Sequence, residues 1–136
     1  QITQQVRKAN QEILIIAAEW AASERLLQLG GKAIEGIEMV QSYDRNDQSE
    51  RYLTFKKTYQ ERFKRDPGYS SVAAYDAAVM LFAALKKNDD PKKLKEVLVR
   101  LPVVDGLQQP LKFNKYGDAE RRAFFVTIRD GRFVQQ

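Results

Sequence analysis

Cysteine and histidine are both absent from this 136-residue chain. Their absence removes thiolate nucleophiles, disulfides, His-ligated zinc and imidazole acid–base catalysis from its chemistry, and it leaves the redox compartment open. Phosphate-binding glycine loops are missing as well: neither GxGxxG nor GxxxxGK[ST] occurs, and there is no GxSxG elbow. The one glycine pair, Gly30–Gly31, is accounted for by a helix end. Long apolar runs are also lacking. The longest, ILIIAA at 13–18, is far below the roughly 20 residues that cross a bilayer, and Asp76 interrupts the apolar stretch 72–85. Glu19 with Glu24 and Asp44 with Asp47 are the carboxylate pairs available for acid–base work, yet such spacing is common on wet surfaces. The chain therefore reads as a non-enzyme, with no catalytic residues, no metal site and no cofactor.

The opening QITQQVRKAN has no initiating Met and no basic-then-apolar signal region. Ile2, Val6 and Ala9 fall at helical spacing, so the chain is expected to begin inside a helix, as an excised piece would. The formal charge of +5 comes from basic pairs scattered along the chain, Lys56–Lys57, Lys64–Arg65, Lys86–Lys87 and Lys92–Lys93, each beside acidic residues on wet helix faces. No recognition motif or aromatic-interleaved basic stripe accompanies them, and nucleic acid is not an expected partner. With 43% hydrophobic and 10% aromatic content, the chain has the means for one core, and a single domain over 1–136 is expected.

The order of elements follows from periodicity and punctuation. Glu12–Ala17 reads as a buried parallel strand. Ser23 caps a short helix over Glu24–Leu29 that Gly30–Gly31 ends. A second strand is expected over Ile37–Tyr43, followed by a polar loop to Gln48. Ser49 caps the next helix, whose Tyr52, Phe55, Tyr59 and Phe63 form one aromatic stripe assigned to the core. Asp66–Pro67–Gly68 breaks it. The Ala-rich helix Ser70–Lys86 is expected to lie buried between other elements, with Asp76 as its one interior charge. Asp90–Pro91 starts another helix with Leu94, Val97, Leu98 and Leu101 on its buried face, and Pro102 stops it. Gln108–Phe113 and Phe124–Ile128 read as strands joined through Lys115–Glu120, and Asp130–Gly131 as a tight turn into Arg132–Val134. The result is a three-layer α/β domain with a mostly parallel sheet flanked by helices and a β-rich tail.

Open α/β sheets bind ligands just beyond the carboxyl ends of their strands. The first strand ends at Ala18-Glu19-Trp20-Ala21, so Glu19 and Trp20 are expected at that edge. A carboxylate there accepts charge-assisted bonds from an ammonium, and an indole supplies an apolar wall or a cation–π face. The structural alternative packs Trp20 on the following helix and leaves Glu19 solvated or capping.

Four segments in fixed order, AEWAASERLLQLGGKAIEG (18–36), SERYLTFKKTYQERFKRDPGYSSVAAYDAAVMLFAAL (49–85), LQQPLKFNKYGD (107–118) and FVTIRDGRF (125–133), resemble the C-terminal lobe of the periplasmic solute-binding proteins of the branched-chain amino acid (Leu/Ile/Val-binding) type. The resemblance covers nearly the whole chain. It implies a type I binding-protein lobe, a missing N-terminal lobe, an amino acid or similar small solute held between the lobes, a membrane permease of an ABC importer as partner, and a periplasmic or extracytoplasmic location. It also implies that Glu19 takes the ligand's α-ammonium and that Tyr69 or Ser70, just before AYDAAV, lines the side-chain pocket. The alternative for Tyr69 and Ser70 is a surface loop with Ser70 as helix cap. Tyr75 and Asp76 are read as structural. Gln109 stands where the family usually has a small glycine, and few basic residues surround Glu12–Ala17 to seize an α-carboxylate, a duty that the resemblance assigns mainly to the other lobe. A ligand-sensing domain of a receptor or regulator, and a fragment of a doubly wound enzyme, are the rival readings.

Overall fold

Residues Gln1–Gln136 are all described by a computed structural model of the chain. Contacts within it group into two compact units, Gln1–Asp44 with Ala123–Gln136, and Arg45–Arg122. No helix in either is long and apolar enough to cross a membrane.

The first unit opens with α1 (Ile2–Ala9), which carries Arg7 and Lys8 in its last turn, where the helix dipole favours positive charge. The Arg7 guanidinium donates to the carbonyls of Gln11 at 2.6 Å, Ile13 at 2.5 Å and Glu35 at 3.1 Å, and Asn10 Oδ1 accepts from the Glu12 amide at 2.9 Å. These bonds hold the segment after α1 in an irregular path. Strand β1 is therefore only Ile16–Ala17, not the six residues expected from Glu12. It is also not a buried strand: β1 lies at the sheet edge, and Ile13, Leu14 and Ile16 are exposed, Ile16 by 70%. Helix α2 (Glu24–Gly30) has the expected Ser23 cap, whose Oγ accepts from the Leu26 amide at 3.3 Å. Gly31 then takes a positive φ of 54°, the left-handed region that favours glycine.

Strand β2 (Glu38–Gln41) is shorter than the expected Ile37–Tyr43 but keeps its alternation, since Ile37, Met39, Gln41 and Tyr43 are buried while Val40 is exposed. It pairs in parallel with β1, Ile16 opposite Glu38 and Ala17 opposite Met39. On its other side it pairs antiparallel with β5 (Phe124–Arg129), and β5 with β6 (Arg132–Gln135). The α/β class stands, with a mixed sheet in the order β1-β2-β5-β6; parallel pairing is confined to one pair, because the other neighbours come from a hairpin. That hairpin turns at Asp130–Gly131, both with positive φ (51° and 67°), as a two-residue turn of this type requires. The Glu35 carboxylate accepts from the Asp130 amide at 2.5 Å and the Gly131 amide at 3.4 Å. Ala22, Ile34, Ile37, Met39, Val126 and Ile128 form the core beneath, with Leu26 and Leu27 of α2 packed against it.

The second unit is mainly helical. Helix α3 (Glu50–Phe63) starts at Ser49, whose Oγ accepts from the Tyr52 amide at 3.3 Å. Its aromatic stripe is only partly core: Tyr52 is buried, Phe55 and Tyr59 are half-buried, and Phe63 is 50% exposed. The stripe is held by ring contacts, Phe55 to Tyr75 at 5.3 Å edge-on and Tyr59 to Phe63 at 4.5 Å. Helix α4 (Tyr69–Lys87) buries the row Val72, Asp76, Met80 and Ala84, a four-residue spacing that makes one stripe. The expectation that it is enclosed on most sides is corrected by Tyr75, Leu81, Phe82 and Leu85, all exposed: alanine on several faces lowers polarity without implying burial. Asp90 Oδ1 accepts from the Lys92 amide at 3.0 Å and opens a short 3₁₀ turn at Pro91–Lys93 before α5 (Leu94–Arg100). Strands β3 (Val104–Asp105) and β4 (Pro110–Leu111) pair with each other. The expected strand Gln108–Phe113 is thus reduced to two residues of a small separate hairpin, as Pro110 lacks a ladder donor.

Asp76 fastens this unit. It is 1% exposed, its Oδ1 accepts from the Leu107 amide at 2.8 Å, and its Oδ2 lies 3.4 Å from Arg121 Nη1. Desolvation raises its carboxyl above the ordinary range, against the Leu107 bond and the Arg121 charge, which lower it. Asp76→Ala is expected to cost about 3 kcal/mol, because it strands a buried amide and a guanidinium, whereas Asp76→Asn keeps an acceptor for Leu107 and is expected within about 1 kcal/mol of wild type at neutral pH. A raised folded-state pKa means the folded protein holds the proton more tightly than the unfolded chain. Asp76 thus contributes most below the unfolded value of about 4 and loses that contribution as pH rises through the folded value. Urea melts across this window should show wild type losing ground against Asp76→Asn as pH rises; a constant difference would contradict the assignment.

Candidate functional site

Parallel pairing brings the carboxyl ends of β1 and β2 to the same edge of the sheet. Just beyond β1 the chain turns through a 3₁₀ segment, Glu19–Ala21, held by the Ala21 amide on the Ala18 carbonyl at 2.9 Å and the Ala22 amide on the Glu19 carbonyl at 3.1 Å. Ala22, 3% exposed, anchors the turn in the core. Glu19 is half-buried there, and its Oε1 accepts two bonds from Ser42, the residue following β2: one from the backbone amide and one from the hydroxyl, each at 2.5 Å. Both bonds fall on one oxygen. Oε2 makes no hydrogen bond within the chain, so a carboxylate with unspent lone pairs is held in a fixed orientation at the strand edge.

Trp20, the next residue, is 79% exposed. The alternative that it packs on the following helix is corrected, because the 3₁₀ turn directs Ala22 rather than the indole into the core. Tyr69 and Ser70 lie in the second unit as the first two residues of α4. The cap of that helix is Gly68, without a side-chain bond, so Ser70 is not the cap; it is an exposed residue within the first turn, and Tyr69 is half-buried. Ser71 is the engaged hydroxyl of the group, donating to the Tyr59 phenol oxygen at 3.0 Å. That bond draws the phenol below its ordinary pKa, against partial desolvation and with help from Arg65.

Ser42 was not singled out by the sequence. Extending the second strand to Tyr43 placed Ser42 inside a ladder, whereas β2 stops at Gln41 and frees Ser42 to turn both donors toward Glu19. The strand-edge rule applied to the second strand would have found it. A larger hollow, about 1050 Å³, lies beside Arg7, Gln11, Ile13, Lys32, Glu35 and Gly36. These residues precede β1 and β2, so it sits at the amino ends of the parallel pair, where ligand sites of open α/β sheets are not formed.

The profile of the periplasmic binding proteins matches residues 1–132. The chain belongs to this family. No curated protein sequence matches it. Among solved structures it is similar to the leucine-binding protein LivK of Thermotoga maritima, with a TM-score of 0.86 and 22% identity over 99% of this chain and 39% of that one. It is also similar to the branched-chain amino acid transporter substrate-binding protein LivJ of Streptococcus pneumoniae in complex with isoleucine (TM-score 0.82, 17% identity, 99% of this chain and 41% of that one). A third is a solute-binding protein of an R. palustris ABC transporter in complex with benzoate (0.76, 20%, 98% and 38%). These likenesses establish the type I periplasmic binding protein fold, and the chain spans about two fifths of the length of each.

Because the Trp20 ring is exposed, Trp20→Ala is expected to leave stability within about 0.5 kcal/mol of wild type, whereas Ser42→Ala removes a charge-assisted bond and is expected to cost about 1 kcal/mol. Denaturant melts of the two variants check this; equal losses would show that Trp20 is a packing residue.

Proposed function

We propose that this binding-protein chain is the C-terminal lobe of an extracytoplasmic solute-binding component of an ABC importer, that both of its units belong to that one lobe, and that the solute is an amino acid held with its ammonium on Glu19. Capture occurs without chemistry: the solute enters between this lobe and an N-terminal lobe, hinge closure buries it, and the loaded protein delivers it to a membrane permease in the periplasm or its equivalent. The observation that carries the reading is the Glu19 carboxylate, fixed by Ser42 through Oε1 and open at Oε2 at the edge where such sheets bind ligands. An ammonium presents three donors and no acceptor, so an oriented acceptor-only group is its complement. The family match and the isoleucine complex of the LivJ relative support the same solute class.

Trp20, with its ring exposed, supplies an apolar or cation–π wall beside the ammonium. Tyr69 and Ser70 contribute contacts to the solute's side chain. The benzoate complex of the R. palustris relative is one of a protein of this fold with a solute that has no ammonium, so the amino-acid reading here rests on Glu19 rather than on the fold.

Titration calorimetry on the intact two-lobed protein tests this. Glu19→Gln is expected to weaken leucine binding at least about tenfold, through loss of a charge-assisted bond of roughly 1.5–3 kcal/mol, while affinity for 4-methylpentanoate, which lacks the amino group, stays weak and unchanged. Leucine affinity that survives Glu19→Gln removes Glu19 from the site. The isolated chain is expected to bind leucine at best weakly, because contacts shared with the other lobe are lost; micromolar affinity of the chain alone would overturn the two-lobed reading.

A further inference from the structure

Within the second unit, Met80, Leu81, Leu98, Leu111 and Phe113 wall a hollow of about 280 Å³ that also reaches four charged residues, Asp76, Lys112, Glu120 and Arg121. Met80 and Leu111 are buried, at 5% and 3% exposure. Lys112 and Glu120 are exposed; Asp76 and Arg121 pair with each other but differ in what they have left to offer. Asp76 is spent: its side chain is 2% exposed, one oxygen is taken by the Leu107 amide and the other faces Arg121. The Arg121 side chain remains 22% exposed, and its one interaction in the chain is Nη1 against Asp76 at 3.4 Å. A guanidinium carries five N–H donors in a planar fork, so most of its donating capacity faces a largely apolar hollow without a partner from the protein.

We propose that this hollow is a second ligand site, for a small monocarboxylate with an apolar tail, such as a short-chain fatty acid. The carboxylate meets the unspent donors of Arg121, and the tail lies against Met80, Leu98, Leu111 and Phe113. An anion is favoured over a cation because both cations of the lining, Arg121 and Lys112, keep unspent donors, whereas of its two carboxylates Asp76 is already satisfied and Glu120 alone is open. The volume suits a chain of about six carbons, near the lower end of small-molecule pockets, and so few atoms imply a Kd of about millimolar. The site has no part in the capture of the transported solute.

The chain contains two methionines: Met80 lines this hollow, and Met39 lies in the core of the other unit. Methyl-labelled methionine in the full-length protein therefore gives a probe and an internal control in one spectrum. Hexanoate is expected to shift the Met80 methyl saturably while Met39 stays still, and hexylammonium at equal concentration is expected to shift neither. Arg121→Gln is expected to weaken hexanoate at least about tenfold. Ala77→Leu, which narrows the hollow while leaving the ion pair intact, keeps the test open should Arg121→Gln fold poorly, and it is expected to weaken hexanoate likewise. Leucine affinity of the intact protein should be unchanged in Ala77→Leu, which separates this site from the one at Glu19. A Met80 methyl unmoved by hexanoate, equal shifts with hexylammonium, or full hexanoate binding in Ala77→Leu would each overturn the proposal.

Discussion

The bond pair between Glu19 and Ser42 depends on a single topological fact, the parallel pairing of β1 with β2. Glu19 follows β1 by two residues and Ser42 follows β2 by one, and only parallel strands deliver both of those ends to one edge. Had β1 run antiparallel, like β5 against the same β2, the carboxylate would stand at the opposite end of the sheet. Two donors from one residue then remove the freedom that an exposed glutamate otherwise retains. Ordering a long charged side chain before a ligand arrives lowers the entropy lost at binding.

That edge is fixed from several directions inside the first unit. β2 has partners on both sides, and its inward residue Met39, with Ile37 just before it, lies in the same core as Val126 and Ile128 of β5. Glu35, just before β2, binds the amides of the β5–β6 turn, while its own carbonyl accepts from Arg7. Arg7 in turn takes the carbonyls of Gln11 and Ile13 ahead of β1. One arginine and one glutamate thus tie α1, the approach to β1, the entry to β2 and the hairpin at the amino ends of the parallel pair. The opposite ends, where Glu19 and Ser42 meet, carry the polar groups that remain available to a solute.

Caps and turns were the most legible part of the sequence, because each depends on one residue and its neighbours within a few positions. Ser23, Ser49, Asp90, Gly31 and the Asp130–Gly131 hairpin all stand where local chemistry put them. Burial and strand length were less legible, since both depend on partners remote in sequence. ILIIAA has the composition of a buried strand, but the guanidinium of Arg7 takes two of the neighbouring carbonyls and leaves two residues in the ladder. The alanines of α4 read as a helix buried on most sides, yet Phe82 is 60% exposed. At the candidate site, the position of Glu19 beyond the first strand was legible from strand-end reasoning, while its partner Ser42 was hidden by a strand boundary set two residues too far.

Asp76 and Glu19 show why residue type alone does not mark a binding group. Asp76 is the more buried, its carboxyl is raised above the ordinary range, and perturbation of that kind often flags function. Burial accounts for the rise, and an amide on one oxygen and a guanidinium near the other leave the group nothing to offer a ligand. Glu19 is half in solvent, has both of its bonds on one oxygen and faces no cation of the chain. An incoming ammonium would have to displace an existing partner and enter a desolvated interior to reach Asp76, at a cost the new pair does not offset. At Glu19 it meets an acceptor already aimed and already partly desolvated, and it gains a charge-assisted bond without breaking one. Spare hydrogen-bonding capacity, more than burial, distinguishes a carboxylate able to receive a ligand from the one that holds the fold.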